Sequence, residues 1–513
     1  MDQLSPQDAQ FLYMETGNNL THVTSVVVYD PSTVPRGKVV RFKEIIAHVE
    51  ERLHMSPLLK RRLVRVPMEL DYPYWAEDEF FDLEYHLRHG RLPEPGDWRQ
   101  FCIHMARYHS RPLDMHRPLW EMFVVEGLDN IPGLPRGGYA IATKIHHAAV
   151  DGASMMRFFG ALADKDTKGT PLLPLDVVPP KPSPQPSLLE MARRATSNNL
   201  RSPLGITDAV MRAAPGLYQA VENSLKSRKE EKHSVPETRF NRNISPHKMF
   251  DATVFPLADL KAVRPAVPGC TINDVVLAIC SGALRKYLLH HRELPQEPLV
   301  AWVPINARPG GASDTDAPGN NITAMTTPIF TDEADPLARL RAIMESTRMS
   351  KEAKSGLSAR LMTDLTQHIP AVTQVLASRL IIQSGVAGKT CNLFVSNVPG
   401  PQEPQYMNGA RVWGSFGLAP LGDGMGLFIA TPSYDGKISF NVISTREIMP
   451  DIRFFIECLE DALAELKQAA LPEKKKPARR KSSPRKAPAK KKPVSRKKAV
   501  AKKKARNTRG RGR

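Results

Sequence analysis

The sequence predicts an α/β protein in two halves, followed by a disordered basic tail. Three observations carry that reading. Strand-like and helix-like segments alternate along two long stretches, a proline-dense run separates them, and the chain ends in Lys, Arg, Pro and Ala with almost nothing apolar to bury. The length of 513 residues exceeds what one hydrophobic core usually organises, which agrees with more than one half.

Residues 1–170 read as the first α/β unit. THVTSVVVYD (21–30) and GYAIATKIHH (138–147) alternate as strands do, and FKEIIAHVEERLH (42–54) has helical spacing. The run PLLPLDVVPPKPSPQPS (171–187) can continue neither a helix nor a central strand, so residues 171–235 are expected to be a linker with two amphipathic helices, Leu188–Leu200 and Ile206–Arg228. Residues 236–468 form the second unit. Its helix is TINDVVLAICSGALRKYLLHH, and its strands are PLVAWVPIN, CNLFVSN, GLFIATPSY and KISFNVIS. Asp435-Gly436 between the last two strands signals a tight hairpin turn. DIRFFIECLEDALAELKQ closes this half as a helix, and residues 469–513 are the tail.

The formal charge of +19 suggests nucleic acid until it is located. Residues 473–513 hold 21 Lys and Arg against one acidic residue, and the rest of the chain holds 51 against 52. The folded part is therefore nearly neutral, and the charge belongs to the tail. Five scattered cysteines without a CxxC spacing argue against a disulfide framework or a zinc site. The N-terminus lacks the basic flank and apolar run of a secretory signal, and no stretch is long and apolar enough to span a bilayer. The expected location is cytoplasmic, and any membrane contact should be peripheral.

The chemical centre lies at the end of GYAIATKIHH. Alternation puts Tyr139, Ile141, Thr143, Ile145 and His147 on one face, and Ala140, Ala142, Lys144 and His146 on the other. The two histidines must diverge, so one can face a reaction channel while the other holds the loop, and a metal held by both rings is not expected. The following GASMMRFFGALAD reads as a helix with Met155, Met156, Phe159 and Leu162 inward. Asp151 then sits at a helix N-terminus, where the dipole and free N–H groups alone would account for a carboxylate.

HHAAVDG (146–152) resembles the HHxxxDG signature of CoA-dependent acyltransferases, the superfamily of chloramphenicol acetyltransferase and peptide-synthetase condensation domains. LSPQDAQFLYMETGNNLTHV, Pro118-Leu119-Trp120, Asn273-Asp274, VPINARP and SNVPGP, in that order, narrow the resemblance to the bacterial wax ester synthase/diacylglycerol acyltransferase family over about residues 4–466. It implies two chloramphenicol-acetyltransferase-like halves with the active-site channel between them. It also implies His147 as general base, His146 as a supporting residue, and Asp151 with Gly152 shaping the site. The reaction implied moves a long-chain fatty acyl group from acyl-CoA to a fatty alcohol or diacylglycerol, with no cofactor, no metal and no acyl-enzyme, and so apolar an acceptor implies peripheral contact with the inner membrane face or lipid droplets. An imidazole with an ordinary pKa near 6.5 can take the alcohol proton as oxygen attacks the thioester.

The remaining motifs each have a plainer reading beside the family one. Pro118, Leu119 and Trp120 are implied to line the acyl channel, yet a buried tryptophan beside a turn needs no chemistry. Asn273 and Asp274 lie in Thr271-x-x-Asp274, which has the form of a capping box. Asn397 ends a strand at a Pro-Gly turn. Arg308 could pair with Asp151 across the halves. QSGVAGKT (383–390) is a decoy for a phosphate loop, since its first position is Gln383 and a strand-like segment follows. The tail could bind anionic lipid or nucleic-acid phosphates. Two other functions stay open here: an amide-forming condensation enzyme, and a non-enzymatic nucleic-acid or lipid-granule binding protein.

Overall fold

A computed structural model describes residues 2–35, 40–149, 158–170, 187–198, 235–306, 322–354, 371–384 and 386–470. The readings for Asp151, Gly152, Arg308, most of the linker with Ile206–Arg228, and the tail beyond 470 lie outside the described residues.

Two six-stranded sheets make the frame. The first runs in the order β12 (Tyr406–Met407), β13 (Ala410–Leu418), β2 (His22–Asp30), β7 (Gly138–His146), β6 (Trp120–Leu128) and β5 (Leu87–Arg91). The second runs β10 (Ile322–Pro328), β9 (Val300–Asn306), β11 (Leu393–Val398), β14 (Phe428–Tyr434), β15 (Lys437–Thr445) and β8 (Lys248–Pro256). A small third sheet joins β1 (Asp2–Gln3), β4 (Tyr74–Glu77) and β3 (Arg61–Val64). The helices that matter below are α1 (Pro6–Tyr13), α2 (Phe42–Glu50), α3 (Trp98–His109), α4 (Leu257–Val263), α5 (Ile272–His290), α6 (Pro336–Lys354), α7 (Ala371–Ser384) and α8 (Ile452–Ala470).

Strand β7 is buried along its whole length because both of its faces are covered. Ala140 and Ala142, with Val26 and Val28 on β2, pack towards Phe101 and Met105 of α3. Tyr139, Ile141 and Ile145 pack on the other face with Leu12, Trp120 and Tyr29. The alternation read from the sequence is thus the division between the two hydrophobic clusters. In the second half α5 is enclosed almost entirely, and α8 lays Phe455, Ile456, Leu459 and Leu463 against the same core. Phe158 is buried on the helical stretch 158–162, where Phe159 and Leu162 are partly buried. In 188–198, Met191 and Ala195 face inward while Leu188 and Leu189 stay exposed.

One division of the chain differs from the sequence reading. Residues 406–418 fall in the second half by position, but β12 and β13 complete the first sheet, with β13 antiparallel to β2. The reason is where their apolar side chains find cover. Met407, Ala410 and Val412 bury with one cluster and Phe416 and Leu418 with the other. The halves are also tied by the Trp98 indole, which donates to Asp251 Oδ1 at 2.8 Å, and by the Ser439 hydroxyl, which donates to the Ser415 carbonyl at 2.9 Å. A cleft of about 350 Å³ opens at this junction, lined by Val254, Trp413, Tyr434 and Lys437 among others. The five cysteines are free and buried. Among the described residues, no helix is long and apolar enough to cross a membrane.

Candidate active site

His146 is the last residue of β7, and His147 opens a short 3-10 turn, His147–Ala149. Their backbones are pinned first. The His146 N–H donates to the Leu119 carbonyl at 3.0 Å, and the His147 N–H donates to the Thr21 carbonyl at 2.9 Å. Strand geometry then turns the two rings apart, as alternation requires. The His147 ring lies flat on Phe11 of α1, with centroids 3.9 Å apart and planes at 13°. The His146 ring is fully enclosed. Its Nδ1 accepts from the Ala148 N–H at 3.1 Å, while Nε2 lies 3.0 Å from Thr21 Oγ1 and 3.3 Å from Glu15 Oε2.

Burial pushes the His147 imidazole down to about pH 4, and the neighbouring His146 pushes in the same direction. At neutral pH the ring is therefore uncharged. A polar cluster packs beneath this end of the sheet. Lys144, without solvent exposure, is held 2.5 Å from Glu121 Oε1 and donates to the Tyr108 and Arg111 carbonyls. His22 reaches the His109 carbonyl at 2.7 Å, and His109 bridges Thr24 and the Ala419 carbonyl. Desolvation drives His109 down to about 3 and His22 well below the usual imidazole range, so both rings are neutral props.

The structure brings some sequence-predicted residues to this centre and leaves others apart. Leu119 caps the His146 backbone, so Pro118-Leu119-Trp120 adjoins the site. Trp120 itself is core: its indole donates to the Leu59 carbonyl at 2.9 Å and its ring stacks on His86 at 4.6 Å. Asp274 closes a capping box on α5, accepting from the Thr271 N–H at 2.7 Å and from the Thr347 hydroxyl at 2.7 Å, and Asn273 lies half-buried beside it. These contacts lead towards α6. Asn397 is half-buried on β11 opposite Thr431, ahead of a turn where a Cβ on Gly400 would meet the Ser433 carbonyl at 2.2 Å. The decoy segment forms a 3-10 turn, Val386–Lys389, followed by β11. The residues the sequence reading did not single out are Phe11, Glu15 and Thr21. Their signal was present, because all three lie in the N-terminal segment quoted for the family resemblance.

Among the described residues, His290, His291 and Asp451 could present three metal donors within 4.8 Å of one another. His291 Nε2 is already paired with Asp451 Oδ2 at 3.0 Å.

The two-sheet α/β frame shared between two halves is the two-domain, condensation-like architecture of acyltransferases. The family model described as the wax ester synthase/diacylglycerol acyltransferase catalytic domain matches residues 4–276, and the WS/DGAT C-terminal domain matches 318–467. The chain belongs to the wax ester synthase/diacylglycerol acyltransferase family and is an acyltransferase. It is 30% identical over 480 residues to a putative diacylglycerol O-acyltransferase of Mycobacterium tuberculosis (strain ATCC 25618 / H37Rv), covering 92% of this chain and 91% of that one. The solved wax ester synthase/diacylglycerol acyltransferase from Marinobacter aquaeolei VT8 matches at 26% identity and a TM-score of 0.64, covering 91% of this chain and 99% of that one. The first condensation domain of the calcium-dependent antibiotic synthetase shares the fold at 14% identity and a TM-score of 0.54, over 91% of this chain and 96% of that one.

Proposed function

We propose that the chain moves a long-chain fatty acyl group from acyl-CoA to a fatty alcohol, giving wax ester, or to diacylglycerol, giving triacylglycerol, with His147 as general base. The observation that carries this reading is the His147 ring stacked flat on Phe11 where the chain leaves β7, in surroundings whose burial favours its uncharged form. The alcohol oxygen attacks the thioester carbonyl as its proton passes to the imidazole. The tetrahedral oxyanion then collapses, the C–S bond breaks, and the thiolate leaves with the proton returned from His147. No acyl-enzyme and no cofactor enter these steps, because the alcohol oxygen attacks the thioester directly. In this reading Asp151, within the HHxxxDG motif that ends at Gly152, maintains the site, and Arg308 is its proposed partner; all three lie outside the described residues.

The test is purified protein with a long-chain acyl-CoA and either acceptor, following thiol release and extracted ester together. His147→Ala is expected to lower kcat by about 10²–10⁴-fold, the usual contribution of a positioned base. A variant running at the parental rate removes His147 from the mechanism, and thiol without ester indicates a thioesterase. The +20 tail fits adsorption to anionic lipid, at about 1 kcal/mol for each engaged cation. Truncation at residue 472 should then abolish salt-sensitive binding to anionic vesicles while soluble-substrate turnover persists.

A further inference from the structure

The N-terminal segment does more than pack against the histidines. Phe11, Glu15 and Thr21 reach the site from one stretch of chain that leaves α1 and enters β2, and each makes a different contact. Phe11 covers the His147 ring, and the Thr21 carbonyl fixes the His147 backbone. The carboxylate of Glu15 approaches the His146 ring instead.

The proton on His146 can be located from its partners. A backbone N–H can only donate, so the Ala148 N–H requires a bare lone pair on Nδ1, and the ring proton sits on Nε2. Thr21 sends its own hydroxyl proton to the Phe11 carbonyl at 2.9 Å, which leaves its oxygen to accept from Nε2. Glu15 Oε2 is the second acceptor for that proton, at 3.3 Å. The Glu15 side chain is mostly buried, and Glu15 lines a cleft of about 480 Å³ with Leu12, Thr16, Arg65 and Arg379.

We infer that Glu15 is a positioning residue for acyl transfer: through His146 it fixes the turn that presents the His147 ring. The chain of contacts is continuous. The carboxylate shares Nε2–H with the Thr21 oxygen, the opposite nitrogen stays bare beneath the Ala148 N–H, and that bond sets the 147–149 turn. A negative charge behind His146 also opposes the rise in local positive charge when the His147 ring takes the alcohol proton, so its effect falls on the transition state more than on substrate affinity. Glu15 touches neither reacting atom in this scheme. The inference rests on the reading of His147 as the base.

The experiment compares Glu15→Ala, Glu15→Gln and His147→Ala with the parent protein, using palmitoyl-CoA and hexadecanol. Glu15→Ala should lower kcat about tenfold to a hundredfold, the scale of a displaced catalytic group, with KM for palmitoyl-CoA within about twofold. Glu15→Gln keeps an oxygen that can accept from Nε2–H but lacks the charge, and should recover part of the loss. On a His146→Ala background, Glu15→Ala should cost nothing further. Parental kcat in Glu15→Ala alongside an inactive His147→Ala overturns the inference and leaves the base reading intact. Equal damage in the Ala and Gln variants, matched by equal loss of thermal stability, also overturns it. A fully active His147→Ala instead removes the base reading, whatever Glu15 does.

Discussion

His147 combines two properties that act against each other. Burial keeps its ring uncharged at neutral pH, but the same burial makes it a weaker base than a solvated imidazole, since it opposes the charged form. The consequence is a shifted pH profile. An ordinary imidazole would be about 90% protonated at pH 5.5, whereas a ring titrating near 4 stays unprotonated there. The acid limb of kcat/KM should accordingly lie well below pH 6, and a midpoint at 6.5 would show that the ring is solvated in the working enzyme. Stability follows the same sign. For His147 and His109 the folded-state values, about 4 and about 3, lie below the unfolded value near 6.5, so the unfolded chain binds more protons in between. The contribution is complete above pH 6.5 and is lost as pH falls towards 4 and then 3. Thermal melts at pH 7, 6 and 5 should descend, and His109→Gln should flatten that descent. A His109→Gln protein that loses stability with acid as steeply as its parent would contradict this. At this scale the divergence of His146 and His147 was legible from a period of two. The pairing of His146 with Thr21 and Glu15 was not, although their segment was marked by the resemblance, because they lie 125 and 131 positions away in the chain.

Among the elements, α5 and the β14–β15 hairpin were legible because their signals are local. Thr271 and Asp274 lie three residues apart and satisfy each other, and Asp435 and Gly436 both adopt positive φ, 46° and 72°, as a two-residue hairpin turn demands. Strand β13 carried no such signal. Its pairing with β2 slips between Val412 and Gly414, and that irregularity, together with Gly414 and Gly417, breaks the apolar alternation from which a strand would be read. The capping box gives Asp274 a structural role. Thr271→Ala removes an N-cap and should cost about 1 kcal/mol. Asp274→Asn weakens the links to Thr271 and to the Thr347 hydroxyl together, and should lower the melting temperature further. Both variants should turn over at the parental rate per folded molecule, compared by calorimetry and initial rates. Loss of turnover in Asp274→Asn at an unchanged melting temperature would give the carboxylate a chemical role.

For the whole molecule, the exchange of β12 and β13 into the first sheet makes the halves interdependent. Phe416 and Leu418, from the sequence of the second half, are buried in one cluster with Phe101 and Ala142 of the first and with Leu277 and Phe440 of the second. Removing the second half would strip β13 from β2 and expose the hydrogen-bonding edge of His22–Asp30, a long apolar strand of the kind that pairs with other chains. It would also leave Trp98 without Asp251 and uncover the face of α3 that packs on β8. A fragment of residues 1–235 is therefore expected to aggregate, although it carries both histidines, and co-expression with 236–513 should return it to solution. The intact chain should melt in a single calorimetric transition, because no part of the shared cluster can open without the other. Sedimentation velocity on the fragment and scanning calorimetry on the full chain check the two statements. A monomeric, folded 1–235 fragment, or two separated transitions in the parent, would mean that the strand exchange couples the halves too weakly to matter.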